Sequence, residues 1–242
     1  FEGEALLALL AIYERSRDWP QARHIAERLD AAQPGSFATR LAHYLCEEAD
    51  QQQRSGHTGQ ALTLLEQAVQ QSPQMARGWL ALSALKTQTG QASAALDALV
   101  TLASEAPQGL PLAARPMADL ARQTGREPQV LALLQACHDR APSLDVTEAL
   151  ASLSNDPGAV RARYLAHLEK EPSLVIATQW LAGETLSEPD AQKRVQAALE
   201  QASAPLKRYR CAACGFEARQ HFWQCPGCQG WDSYPARRVE EL

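Results

Sequence analysis

Six prolines punctuate the chain at nearly even intervals: Pro34, Pro73, Pro107, Pro142, Pro172 and Pro205 are separated by 39, 34, 35, 30 and 33 residues. Each follows an Ala- and Leu-rich run that reads as a helix. Proline cannot continue that helix, but it fits the turn before the next one. A period of this length marks a repeat architecture, in which each unit buries its apolar face against its neighbours. Apolar residues make up 45% of the chain and aromatics only 6%, a balance suited to helices packed closely through small side chains.

A second regularity lies inside the intervals. Small or apolar residues stand 12, 8 and 5 positions before the proline: Ala22, Ala26 and Leu29, then Ala61, Leu65 and Ala68, then Ala95, Leu99 and Leu102, then Val130, Leu134 and Cys137. Spacings of 4 and 3 place each set on one helical face. Tyr13 followed by Trp19, and Trp79, Leu82 and Gly90 ahead of Ala95, fall where the tetratricopeptide pattern places its Trp, Leu, Tyr, Gly and Ala. The unit from Ala76 to Pro107 fits best. The second carries Gln and Glu where Tyr and Gly are wanted. The fifth is cut short at Asn155–Gly158, so that its first helix runs from about Val146 to Leu153, and the sixth keeps Trp180 but lacks the Gly and the Ala. The expected fold is all-α: a tetratricopeptide-repeat superhelix of about six helix pairs over residues 1–205, right-handed and with a concave face.

Such a face binds proteins or peptides. Glu4, Glu14, Arg15, His43, Asp50, Arg54, Arg77 and Gln88, on the first helices, are the candidate groove residues, with ordinary solvated charge as the competing reading. The net charge of −5 argues against general nucleic-acid binding, which needs clustered cations. No run of 18 apolar residues is present to span a membrane. Cys46 and Cys137 stand alone in helical stretches and are expected to pack as small buried hydrophobes. No Ser, His and acid arrangement, phosphate-cradling Gly loop or H-E-x-x-H motif stands out, and a non-enzyme is expected.

The helical pattern ends near Tyr209. Tyr209, Phe216, Phe222, Trp223, Trp231 and Tyr234 concentrate six aromatics into 26 residues, and two C-x-x-C turns, Cys211/Cys214 and Cys225/Cys228, stand ten residues apart. Each turn belongs to a short strand pair, and the two together form one closed tetrathiolate site within a rubredoxin-like or zinc-ribbon domain over 206–242. Gly215 follows the first turn and Pro226 lies inside the second, where tight backbone is needed. Zinc or iron fits four thiolates, and the residues do not choose between them. A closed four-thiolate site leaves no open coordination position for catalysis. A segment of this size cannot fold unaided, so one bound ion must supply much of its folding energy. Phe222, Trp223 and Trp231 are expected to cover the site or dock it on the last repeats. Lys207, Arg208, Arg210 and Arg219 beside aromatics leave a single-strand-binding ribbon as an alternative, and a metal-dependent electron carrier is the other.

Repeats followed directly by Tyr209, Cys211, Cys214, Gly215 and Phe216, then Trp223, Cys225, Pro226, Cys228 and Trp231, resemble the lipopolysaccharide assembly protein B family of Gram-negative bacteria. The resemblance implies a regulator of lipopolysaccharide synthesis held on the cytoplasmic face of the inner membrane by an N-terminal anchor absent from this chain. It implies an adaptor that presents the deacetylase LpxC to the membrane protease FtsH for degradation, opposed by an inner-membrane sensor protein. Two departures matter: Gln229 follows the second turn where rubredoxins usually have Gly, and the loop between the turns is shorter than theirs. Electron transfer is therefore not carried over, and a structural metal is expected.

Overall fold

The computed structural model describes residues 2–242; Phe1, the first residue of the expected repeat domain, lies outside them. Twelve α-helices are present among the described residues. They are α1 (Glu2–Ser16), α2 (Trp19–Ala32), α3 (Ala38–Arg54), α4 (Thr58–Gln71), α5 (Ala76–Gln88), α6 (Ala92–Glu105), α7 (Leu110–Thr124), α8 (Glu127–Arg140), α9 (Leu144–Ser152), α10 (Pro157–Lys170), α11 (Leu174–Ala182) and α12 (Pro189–Ser203). A two-stranded antiparallel ladder, β1 (Tyr209–Arg210) with β2 (Glu217–Ala218), follows. The chain divides into two compact units, one ending at Gly109 and the other running from Leu110 to Leu242. The second unit holds the last six helices together with the cysteine ribbon.

The periodic prolines stand where helices stop. Each lies two residues beyond the last residue of an even-numbered helix: Pro34 after Ala32, Pro73 after Gln71, Pro107 after Glu105, Pro142 after Arg140, Pro172 after Lys170 and Pro205 after Ser203. Within the first four pairs the inner turn repeats as well. Arg17, Gly56, Gly90 and Gly125 all have positive φ, at 55°, 80°, 77° and 67°. In each case the next residue's N–H closes the preceding helix by bonding five residues back: Asp18 to Tyr13, His57 to Gln52, Gln91 to Lys86 and Arg126 to Ala121. The second helix pair thus has its turn glycine at Gly56, although its first helix lacks the Tyr and Gly of the motif.

In the first compact unit, α1 packs with α2, α3 with α4 and α5 with α6. Ala42, Ala49, Ala61 and Ala68 interleave with Leu45, Leu65, Leu82 and Leu85 in a continuous core, with Trp79 along its edge. The expected triplets Ala22/Ala26/Leu29, Ala61/Leu65/Ala68 and Ala95/Leu99/Leu102 are all buried. Ala at the first position lets two backbones approach, because a larger side chain would hold the helices apart.

In the second unit the triplet rule fades. Val130 and Leu134 are fully buried, but Cys137 is only half-buried. His138, one residue on, turns inward in its place and stacks on His167 of α10, with ring centroids 5.8 Å apart. The expectation for Cys137 is therefore corrected: the inward position at this end of α8 belongs to a histidine. Cys46 is buried as expected, and burial pushes its thiol up to about 12. Helices α9 and α11 have nine residues each, while α10 and α12 fully bury only His167 and Ser203. Helices this short and this exposed depend on neighbours for their stability.

Candidate metal centre

The ribbon is built from two matching halves offset by 14 residues. In the first, the β1–β2 ladder pairs Tyr209 with Ala218 and Arg210 with Glu217 around the Cys211–Phe216 turn. In the second, a single bridge pairs Gln224 with Trp231 around the Cys225–Gly230 turn. Each half closes with the same two bonds. Cys211 N–H donates to Phe216 O (2.9 Å) and Gly215 N–H to Cys211 O (2.9 Å); Cys225 N–H donates to Gly230 O (2.8 Å) and Gln229 N–H to Cys225 O (2.9 Å). Gly215 has φ +78° and Gln229, its counterpart, has φ +60°. The chain thus holds a left-handed conformation at Gln229 without the residue that takes it freely.

These turns bring Cys211, Cys214, Cys225 and Cys228 together, with all four Sγ atoms within 4.8 Å of one another. Cys211 and Cys225 are buried, while Cys214 and Cys228 form the solvent edge. Among the described residues this is the only group of three or more His, Cys, Asp and Glu side chains placed to hold an ion.

The surroundings are arranged for negative sulfur. Gly227 N–H donates to Cys225 Sγ at 3.3 Å, and Cys211 Sγ lies 3.2 Å from Ser233 Oγ. The Ser233 hydroxyl, helped by the Cys214 and Ala213 amides, draws the Cys211 thiol down to about 6 against the effect of burial. Desolvation raises Cys225, but the Cys228 and Gly227 amides outweigh it and lower the thiol overall. Cys214 goes the other way: the Phe216 amide pulls it down, but desolvation and the three neighbouring sulfurs push it up to about 12. Four thiols this close cannot all ionise unless a cation neutralises them. A polarised, crowded all-sulfur donor set of this kind fits one zinc or iron ion.

Aromatic residues enclose the inner side. Tyr209, Cys211, Cys225 and Tyr234 form a core on which Phe222 and Leu112 of α7 pack. Tyr234 O–H donates to Phe216 O at 3.0 Å, tying the second half to the first. His221 donates through Nε2 to Tyr234 O (2.9 Å) and sits edge-on to Trp223, with 4.5 Å between centroids. Burial keeps its pKa below the usual histidine value. Phe216 remains 44% exposed beside the solvent-edge cysteines.

The tail after the ribbon was not singled out from sequence, yet it makes most of the polar contacts to the helices. Arg238 grips Asp145 of α9 with two bonds, Nη2 to Oδ1 at 2.7 Å and Nε to Oδ2 at 2.9 Å, and its guanidinium lies 4.2 Å from the centre of the Tyr209 ring. Glu241 accepts from Leu144 N–H (2.9 Å) at the start of α9. Glu240 accepts from Leu174 N–H (2.6 Å), Val175 N–H (3.3 Å) and Ser173 O–H (2.7 Å) at the start of α11. Helix N-termini have unpaired N–H groups and a positive field end, so carboxylates suit them. The sequence signal was the twin Pro-Ser-Leu triplet, at 142–144 and 172–174.

The candidate groove residues divide. Glu4, Arg15, Arg54 and Gln88 are exposed, and Gln88 accepts from Gln53. Glu14 instead accepts from Tyr44 O–H (2.5 Å) and Arg40 (2.8 Å), joining α1 to α3. Arg77 is buried in α5, donating to Glu47 (2.8 Å) and reaching Asp50 (3.5 Å) on α3, with its Nη1 3.4 Å from Nδ1 of the fully buried His43. His43 and Arg77 therefore join helices rather than facing solvent.

Fold and site together define a tetratricopeptide-repeat protein carrying a C-terminal four-cysteine ribbon. Residues 53–120 match the family described as tetratricopeptide repeat, and residues 209–234, with all four cysteines, match the one described as rubredoxin metal binding domain. The chain is 24% identical to lipopolysaccharide assembly protein B of Escherichia coli (strain K12) over 252 aligned residues, covering 100% of this chain and 64% of that protein. It is 25% identical to the Haemophilus influenzae (strain ATCC 51907 / DSM 11121 / KW20 / Rd) protein of the same name, covering 96% and 61%. The chain thus spans less than two thirds of the length of these curated relatives. Similarity to lipopolysaccharide assembly protein B runs through both the repeats and the ribbon.

Proposed function

We propose that this chain is the partner-binding part of a non-enzymatic adaptor that limits lipopolysaccharide synthesis by presenting the deacetylase LpxC to the protease FtsH at the cytoplasmic face of the inner membrane. The carrying observation is the combination: helix-pair repeats and a four-cysteine ribbon in one chain, similar along its full length to proteins named for lipopolysaccharide assembly. Repeat stacks of this type offer extended surfaces to other proteins. No helix among the described residues is long and apolar enough to cross a membrane, so membrane attachment in this reading rests on a segment outside this chain.

In the same reading residues 206–242 form the metal-binding domain, with Cys211, Cys214, Cys225 and Cys228 holding one zinc or iron ion. The ion supplies folding energy to the ribbon and needs no open coordination position. The exposed groove residues Glu4, Arg15, Arg54 and Gln88, with Asp50 half-exposed beside them, contribute to the partner surface.

The test is LpxC turnover in cells whose only copy of the full-length protein carries Cys225→Ser or, separately, charge reversals at Arg15 and Arg54. The cysteine change is expected to slow LpxC decay through loss of the ribbon, and the reversals to slow it with metal content intact. Unchanged LpxC half-life in both would reject the adaptor reading. Loss of a reversible redox signal without any change in LpxC would favour the electron carrier.

A further inference from the structure

We infer that the C-terminal tail is a strap through which the ion-loaded ribbon holds the last two helix pairs folded, so that loss of the ion loosens α9–α12 as well as the ribbon. This rests on the ion-binding reading of the four cysteines. Helices α9 and α11 make only a small apolar contact with each other. Each has nine residues, and their partners α10 and α12 fully bury one side chain apiece. Their shared apolar cluster is small: Leu144, Val175 and Ile176, with Tyr164, Leu168 and Leu206 at its margin. Leu206 already belongs to the segment leading into the ribbon.

Helix α9 also packs on α7, and residues 238–241 add a support shared by α9 and α11. Glu241 caps α9, Glu240 caps α11, and Arg238 pairs with Asp145 in the first turn of α9. The same tail is fastened to the segment that leads into the ribbon: Val239 N–H donates to Arg208 O (2.7 Å) and Arg238 Nη1 to Lys207 O (2.8 Å). The two ends of the ribbon are thereby clasped together, and the clasp grips both helices. While the ribbon is folded, the tail carboxylates are held at the helix N-termini at high effective concentration. When the ribbon unfolds, the same contacts must close a flexible loop of about 30 residues, and much of that advantage disappears.

The experiment is hydrogen exchange by mass spectrometry on the full chain in three forms: zinc-loaded, chelator-stripped, and zinc-loaded Glu240→Ala/Glu241→Ala, with zinc content measured for each. Stripping is expected to speed exchange in α9–α12 together with the ribbon, leaving α1–α6 unchanged. The tail variant is expected to keep its zinc while the first turns of α9 and α11 exchange roughly tenfold faster, the scale for losing hydrogen bonds to a charged acceptor. If stripping opens the ribbon and leaves α9–α12 at the protection of the loaded protein, the strap is refuted though the ion site stands. If the tail variant keeps both zinc and wild-type protection, the strap is likewise refuted. A purified chain that takes up no zinc or iron refutes the ion-binding reading itself.

Discussion

The second compact unit should lose stability on mild acidification through one buried pair, His138 and His167. Their rings stack 5.8 Å apart around Thr147, whose Oγ1 lies 3.0 Å from His167 Nδ1 and 3.5 Å from His138 Nδ1 while donating to Ser143 O. Burial lowers the pKa of both histidines from the ordinary 6.5. For His138, the nearby His167, Lys170 and Arg163 add to the shift and Asp139 opposes it; for His167, Glu171 and Glu240 oppose it and Lys170 adds to it. Folded pKa values below the unfolded value mean that the unfolded chain takes up protons first. Stability is therefore complete above about pH 6.5 and falls as the pH drops, until the folded pKa is passed.

The size follows from linkage. A ring that stays neutral in the fold costs at most about 1.4 kcal/mol for each pH unit below its unfolded pKa. Two such rings weigh against the roughly 5–15 kcal/mol that stabilises a domain. The ion site also weakens in acid, because thiolates protonate, so wild type must be compared with His138→Gln/His167→Gln at equal zinc content. Urea unfolding at each pH, with the two units read separately by pulsed hydrogen exchange, gives the difference. The wild-type curve for the second unit should fall more steeply below pH 6.5 than that of the variant, with the first unit indifferent to the substitution. Parallel curves would refute the reasoning, since they would show that both rings already titrate normally in the fold.

Gly109→Ala should destabilise the first compact unit by about 1–3 kcal/mol in urea unfolding, because the new Cβ would run into the Ala76 side chain and that packed position has no slack. Gly215→Ala should lower zinc affinity roughly fivefold in chelator competition: nothing lies near the added methyl, so the cost is about 1 kcal/mol of left-handed backbone, and ribbon folding and ion binding are linked. Gln229→Gly should raise affinity by less than that, because relief of strain at φ +60° is offset by the lost amide bond to Pro226 O and by a looser unfolded chain.

What could be read from sequence was what local chemistry dictates. A proline two residues past a helix, a small residue where two helices meet and a C-x-x-C turn each act within a few residues, and the structure places them accordingly. The reading weakened where a residue's role depends on a distant partner. Spacing alone cannot tell which face of a late helix will be covered: Lys193, Ala197 and Glu200, in the triplet positions before Pro205, are exposed. Nor does it show that His138 will displace Cys137 inward, because that depends on His167, 29 residues away and one repeat further on.

The tail is the extreme case, and it bears on what kind of object the ribbon is. Arg238 and Asp145 are 93 residues apart, and Glu241 and Leu144 are 97 apart. No periodicity links them, and in isolation Arg-Arg-Val-Glu-Glu-Leu reads as a solvated end. Its charges instead add to what the repeats provide for themselves: Ser173 caps Ile176 N–H of α11, and carboxylates anchored to the ribbon take the N–H groups of Leu144, Leu174 and Val175. Had the ribbon been only tethered, the polar contacts after Tyr234 would lie within it. Those of Arg238, Glu240 and Glu241 also run to two helices in separate pairs, which makes the cysteine quartet part of the architecture of the repeats rather than an appendage to it.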